Sequence, residues 1–218
     1  MIQIAHLLDP ETVAALRDAL GEGPFEDGRK TAGWHARLVK NNLQAGDAPL
    51  LKGVIRKIEA ALAANEVFQA AALPRDIVSI MINRYDAGME YGAHVDDALM
   101  HGKRTDVSFT IFLSAPEDYD GGDLVVSGMD AERAVKLPPG FAVVYPSGAL
   151  HRVEKVTRGS RLAAVGWVRS LVRRPDQREI LFDLSRSVKD VFEREGKSPL
   201  FDDLTQTRTR LLRMWAED

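Results

Sequence analysis

The chain has 218 residues, with 29 Lys and Arg against 32 Asp and Glu, for a net charge of −3. That length suits one large domain, or one domain with a small appendage, and the 45% apolar content is enough to bury a core without staples. The near-neutral balance excludes the strongly basic footprint of a general nucleic-acid binder, and the absence of cysteine excludes disulfides, thiol nucleophiles, iron–sulfur clusters and thiolate zinc sites.

The opening Met1-Ile2-Gln3-Ile4-Ala5-His6 has neither the basic start nor the apolar stretch of a signal peptide. No apolar run approaches the roughly 18 residues that span a bilayer, so a cytoplasmic protein without membrane contact is expected. Asp9 and Pro10 start a first helix with Val13, Leu16 and Leu20 on one face, and Gly21 stops it. Residues 22–47 are rich in Gly and polar groups. A second helix is predicted from Pro49 to Ala64, burying Leu51, Ile55, Ile58 and Leu62.

After Pro74 the pattern changes to strands. Ile77 to Tyr85 reads as a mostly buried strand, and Val107, Phe109, Ile111 and Leu113 alternate with smaller or polar residues as in a half-buried one. Short strands follow at 123–127, 133–137, 141–145, 151–157 and 161–169, separated by Gly121-Gly122, Gly128, Pro138-Pro139-Gly140, Pro146-Ser147-Gly148 and Arg158-Gly159. Many short strands between such turns predict a barrel or jelly roll rather than βαβ units. From Arg173 onward ten basic and ten acidic residues replace the strand pattern. Ile180, Leu184, Val188 and Val191 have helical spacing, and Leu204, Leu211, Leu212 and Trp215 follow it less regularly. Residues 173–218 are therefore read as helices that pack, through Leu181, Leu184 and Val188, on the barrel or on a partner.

Without cysteine, a metal site must use His and carboxylate. The histidines are His6, His35, His94, His101 and His151. In His94-Val95-Asp96 two ligand types point to one side of an extended segment. A third ligand, for which His151 after the Pro-Ser-Gly turn is the best candidate, would complete the two-His-one-carboxylate triad suited to non-haem Fe(II). The pair alone is weak, because five His and nineteen Asp give roughly 0.4 chance His-x-Asp pairs. Arg161, ten residues beyond His151, is either solvent-facing on an edge strand or turned inward toward a carboxylate, where a bidentate guanidinium serves well. Arg158 reads as a turn residue, His101 as a loop histidine, and Trp34-His35 as surface or packing. Gly121-Gly122 is a turn, not a phosphate loop.

Thr31-Ala32-Gly33, Val39-Lys40-Asn41-Asn42, Asn83-Arg84-Tyr85, Gly88-Met89, Tyr91-Gly92 and His94-Val95-Asp96 open a series of stretches with a joint likeness. The series continues through Arg104-Thr105-Asp106-Val107-Ser108, Asp118 to Leu124, Tyr145-Pro146-Ser147 before His151, and Val156 to Arg161. Across nearly the whole chain this set resembles the bacterial PKHD-type hydroxylases, Fe(II)- and 2-oxoglutarate-dependent dioxygenases related to prolyl and lysyl hydroxylases. The resemblance implies a double-stranded β-helix (jelly roll), mainly β with N-terminal helices and a helical C-terminal tail. It implies a dioxygenase domain over 1–172, with its jelly-roll core at about 76–170, and an extension over 173–218. It assigns His94, Asp96 and His151 to Fe(II), and Arg161 to 2-oxoglutarate.

Tyr85 and Asn83 are candidates to join Arg161 around the cosubstrate. The implied reaction consumes O2, hydroxylates a C–H bond of an unidentified substrate (a small molecule or a protein side chain), and releases succinate and CO2. Similar enzymes use L-ascorbate as a reductant, and the bacterial branch is associated with iron uptake. A homo-oligomer is compatible with the tail. Ala163-Ala164-Val165-Gly166 stands where similar enzymes carry bulky aromatic residues, a departure that would reshape the pocket. The rival readings are a non-catalytic metal- or ligand-binding β-barrel linked to iron uptake, and a zinc hydrolase with Asp97 or Glu90 as its base.

Overall fold

The computed structural model describes residues 1–21, 23–46, 49–128 and 130–217. Strand β1 (Ile2–Ile4) leads into helix α1 (Pro10–Leu20), where the Asp9 carboxylate accepts from the Thr12 amide at 2.7 Å and Val13, Leu16 and Leu20 are buried as predicted. The polar segment that follows forms three short strands, β2 (Phe25–Asp27), β3 (Lys40–Asn41) and β4 (Leu43–Ala45). Helix α2 (Pro49–Ala64) has its predicted bounds, with Val54, Ile58 and Leu62 buried and Leu51 and Ile55 packed at the edge of the core. A helix absent from the sequence reading comes next. In α3 (Glu66–Ala72) the Asn65 side chain accepts from Phe68 N, and the left-handed Leu73 ends the helix.

The strand region runs β5 (Pro74–Asp86), β6 (Glu90–His94), β7 (Leu99–Met100), β8 (Lys103–Arg104), β9 (Val107–Phe112), β10 (Tyr119–Gly121), β11 (Leu124–Ser127), β12 (Glu132–Val135), β13 (Ala142–Pro146), β14 (His151–Val153) and β15 (Val156–Ser170). One sheet has the order β1-β13-β9-β15-β5-β4-β2, with β10 pairing separately with β15. A smaller sheet has the order β12-β11-β14-β6-β3. The neighbouring strands are antiparallel, which gives the jelly roll expected, with helices at both ends of the chain.

Two strand readings need correction. The stretch predicted as one strand over 151–157 breaks after Val153, and Val156 already belongs to the long β15. Strand β9 is buried on both faces, including Ser108 and Thr110 at 2% exposure each. Its apolar side joins the helix-backed core with Ile58, Leu62 and Phe68, while its polar side faces an internal cavity. The alternation is present, but the polar half lines a cleft within the barrel instead of the outer surface. At Gly166 a Cβ would overlap the Phe109 ring and the Ser79 carbonyl, so Phe109 fills the volume that the small residues of β15 leave.

The tail forms α4 (Pro175–Glu195) and α5 (Pro199–Trp215). Leu181 and Val191 are buried and Leu184 and Val188 half-buried, in line with the expected packing, whereas Ile180 is 46% exposed, so the buried face is rotated away from it. Leu181 packs with Leu73 and Val172, against which Leu211, Leu212 and Trp215 also rest. Arg178 sets this rotation. Its buried guanidinium donates to the carbonyls of Val172 (2.8 Å), Arg173 (2.7 Å) and Asp106 (3.1 Å), pinning α4 to the end of β15 and the start of β9. Arg178→Met would leave these acceptors unmatched and is expected to cost about 2–3 kcal/mol, lowering the thermal midpoint by roughly 5–10 °C. Calorimetry on the full chain checks this. Among the described residues no helix is long and apolar enough to cross a membrane.

Candidate active site

Strands β14 and β6 pair so that His151 stands directly opposite His94, with ring centroids 4.2 Å apart. Asp96 lies two residues past the end of β6, where the chain has left the sheet and can turn its carboxylate back. Its Oδ1 is 3.8 Å from His151 Nε2. One ligand atom from each of the three side chains falls within 4.8 Å of the others, and no other such His/Asp/Glu group occurs among the described residues.

The surroundings orient each donor. His94 Nδ1 lies 2.8 Å from the Gly92 carbonyl and His151 Nδ1 lies 3.0 Å from the Ala149 carbonyl. A proton on each Nδ1 leaves each Nε2 lone pair directed inward, an arrangement typical of metal-binding histidines. Burial and the neighbouring His151 hold His94 well below the ordinary histidine pKa, so its ring is neutral and able to donate to a metal. The Tyr91 ring stacks on His94 at 3.6 Å, and Tyr145 meets His151 edge-on at 5.2 Å.

Ser108 of β9 donates to Asp96 Oδ2 at 2.6 Å and is itself hydrogen-bonded to Ser147 at 2.8 Å, which leaves Oδ1 facing the histidines. The sequence reading assigned no role to Ser108, Ser147 or Tyr145, since each acquires one only through strand register. Ser108→Ala is expected to weaken divalent-metal binding roughly 10–100-fold, as loss of an orienting hydrogen bond typically does. Metal titration of the intact chain is the check.

The three donors meet one wall of a cavity of about 420 Å³, and Arg161, Tyr85 and Asn83 line another part of it. Arg161 is 1% exposed, so the solvent-facing alternative for this residue does not apply. It sits opposite Tyr85 in the β15–β5 ladder, between the rings of Tyr85 (5.3 Å) and Phe112 (5.4 Å). Gly122, at φ +66°, allows this approach, because a Cβ there would press on Arg161 Cδ and the Tyr119 ring. Among the described residues Nε, Nη1 and Nη2 of Arg161 have no hydrogen-bond partner, and neither has the buried hydroxyl of Tyr119 or Asn83 Oδ1. A fully buried guanidinium with three unmatched nitrogens is costly unless an anion meets it. Burial raises the Tyr85 hydroxyl to about 12 although Arg161 opposes the shift, so Tyr85 remains a hydrogen-bond donor.

Lys40 is a pocket residue that the sequence reading did not single out for a role. It is 7% exposed on β3, and desolvation lowers its pKa to about 8. His101 lines the rim from the β7–β8 turn at φ +51°. Trp34, beside His35, is 82% exposed, and Arg158 pairs at the surface with Asp120. Asp97 reaches the rim but is exposed, and Glu90 points away on the edge of β6, so neither is placed as a hydrolytic base.

Residues 80–169 match the 2OG-Fe(II) oxygenase superfamily, and residues 176–217 match the PKHD-type hydroxylase C-terminal domain. A PKHD-type hydroxylase of Maricaulis maris is 50% identical over 218 residues, covering all of both chains. One of Acaryochloris marina is 48% identical, again over both full lengths. Among solved structures, a Pseudomonas putida prolyl-4-hydroxylase aligns with a TM-score of 0.52 at 24% identity, covering 78% of this chain and 91% of that one.

Proposed function

The chain belongs to the PKHD-type hydroxylases of the 2OG-Fe(II) oxygenase superfamily, a dioxygenase family that works with Fe(II), 2-oxoglutarate and O2, and on that premise we propose how its own residues divide the work. His94, Asp96 and His151 hold the metal, and Arg161 holds the far carboxylate of 2-oxoglutarate. The observation that carries this reading is the fully buried Arg161 guanidinium without a protein partner, in the same cavity as the one cluster of metal-ligand side chains found among the described residues. The donor set suits the metal: two neutral imidazoles and one carboxylate leave coordination positions open and match borderline divalent iron.

When bound, Fe(II) and 2-oxoglutarate would supply the oxidation, in which 2-oxoglutarate, O2 and a substrate C–H bond give succinate, CO2 and the alcohol. The protein's part is placement and protection. Arg161 fixes the cosubstrate's orientation by a planar two-point contact, with the Tyr85 hydroxyl as a second donor and Asn83 beside it. Ser108 and Ser147 keep Asp96 turned toward the two histidines. Leu124, Tyr145 and Val153 form an apolar wall that limits water and stray oxidation. Residues 1–172 make up the dioxygenase unit in this reading, and 173–218 are an extension braced against it by Arg178. A non-catalytic metal-binding barrel has no use for the buried arginine and is not favoured.

The test is anaerobic addition of Fe(II) and 2-oxoglutarate to the intact chain, followed by admission of O2, with and without L-ascorbate. The expected result is a visible charge-transfer absorption that disappears with oxygen as succinate accumulates. No absorption and no succinate would sink the reading.

A further inference from the structure

The cavity contains a second buried cation. Lys40 extends from β3, at the edge of the smaller sheet, while Arg161 extends from β15 of the larger one. Among the described residues these two are the Lys or Arg side chains that line the cavity.

The environment of Lys40 is poor in acceptors. Its Nζ donates to Thr31 Oγ1 at 3.3 Å and lies 5.1 Å above the Tyr91 ring. The Thr31 hydroxyl donates to Gln44 Oε1 at 2.6 Å, so its oxygen is free to accept from the lysine. Among the described residues no carboxylate forms an ion pair with Lys40, although Asp96 and Asp27 act on it through space. An ammonium carries three donors, and here one weak hydrogen bond and one aromatic face serve it. A buried charge so incompletely matched is expensive, and its value must come from something that enters the cavity.

Iron and 2-oxoglutarate do not supply the missing partner. The charges of a divalent metal, Asp96, Arg161 and a dianionic cosubstrate cancel, and the cavity's other carboxylate, Asp97, is exposed at the rim and forms no ion pair with Lys40. The position of Lys40 also separates it from Arg161. The same Tyr91 ring meets the Lys40 ammonium at 5.1 Å and stacks on His94 at 3.6 Å, so one aromatic ring contacts both the ammonium and a metal-ligand side chain. A group held there lies beside the reacting centre.

We propose that Lys40 is a specificity-determining residue that binds a carboxylate of the primary substrate, so that the molecule hydroxylated is an acid. A single carboxylate matches a single ammonium in charge. The proposal rests on the dioxygenase reading above and narrows its substrate class.

The experiment uses the intact chain loaded anaerobically with Fe(II) and 2-oxoglutarate. It is offered a panel of free amino acids, hydroxy acids and short fatty acids, each beside its carboxamide, and end-blocked peptides containing Asp or Glu beside their Asn or Gln counterparts. Binding is read as a perturbation of the charge-transfer absorption, and hydroxylation as a gain of one oxygen in the product's mass after O2 is admitted. Acids, but not the matching amides, should bind and gain oxygen, and the free-acid and peptide arms tell which source of carboxylate is used. Lys40→Met should lose roughly thirty-fold or more in affinity for the active acid, the usual consequence of removing one partner of a desolvated charge pair. Lys40→Arg should restore part of it.

The acid-to-amide preference is the readout that a merely structural lysine would not move. Amides that bind as well as acids, or a panel in which no acid binds, overturn the proposal. So does an absorption that forms in the wild type but not in Lys40→Met, since Lys40 would then serve the cosubstrate. Failure of that absorption in the wild type itself would instead strike the dioxygenase reading.

Discussion

Asp96→Ala is expected to abolish 2-oxoglutarate turnover and to lower Fe(II) affinity by at least about 100-fold while leaving the barrel folded. Asp96 is the one carboxylate among the three converging donors, so the variant would face a divalent cation with two neutral imidazoles. Losing a ligand outright should exceed the roughly 10–100-fold typical of losing a residue that merely orients one. The fold should survive, because Asp96 lies outside the strand ladders and its main protein contact is the Ser108 hydroxyl, which can turn to Ser147. Iron titration, succinate release and thermal unfolding should be measured on one preparation. His94→Ala and His151→Ala should behave alike, whereas His101→Ala, at the rim, should retain iron. Wild-type turnover in Asp96→Ala would show that the triad is misassigned.

The residues that were legible in the sequence are those whose local chemistry is self-contained. Asp9, Pro10 and Gly21 bracket α1 because a cap, a first-turn proline and a glycine stop each act within a few residues. His94 and Asp96 could be paired because period-two alternation predicts them on one side, although Asp96 in fact lies past the end of β6. Joining His151 to them needed the register of β14 against β6, which no local pattern contains. Arg161 could face solvent or the interior on sequence grounds alone, and resemblance decided what spacing could not.

Other features stayed hidden for related reasons. Ser108 and Thr110 look like solvent-facing positions of a half-buried strand, because a polar cavity and bulk water impose the same alternation. Lys40 in a short polar stretch looks like any surface lysine until β3 is seen paired to β6 with its side chain turned inward. In α4 the apolar stripe could be drawn through Ile180 or Leu181. Arg178, which a hydrophobicity pattern counts as polar, decides between them by seeking three backbone carbonyls. Sequence patterns report polarity, whereas the fold decides what that polarity meets.

Arg161→Leu separates cosubstrate binding from metal binding, and this is where the second large effect is expected. The guanidinium stands on β15 while the metal-ligand side chains come from β6, β14 and the segment after β6, so removing it should leave Fe(II) binding nearly unchanged. Leucine also suits the site the arginine leaves beside the Tyr85 and Phe112 rings, and removes a buried charge with no hydrogen-bond partner among the described residues. Stability should therefore hold or rise. The loss should fall on 2-oxoglutarate: truncating one side of a buried, charge-assisted pair typically costs about 2–5 kcal/mol, or roughly thirty-fold to several thousand-fold in affinity. Arg161→Lys should recover only part, because a point charge cannot reproduce the planar fork and its shorter reach leaves the pocket between the rings incompletely filled. Succinate formed against 2-oxoglutarate concentration at saturating Fe(II), with separate iron titrations, measures both effects. An unchanged 2-oxoglutarate requirement in Arg161→Leu would remove the reason for assigning this arginine to the cosubstrate. A parallel loss of iron binding and of thermal stability would show instead that the buried charge supports the fold.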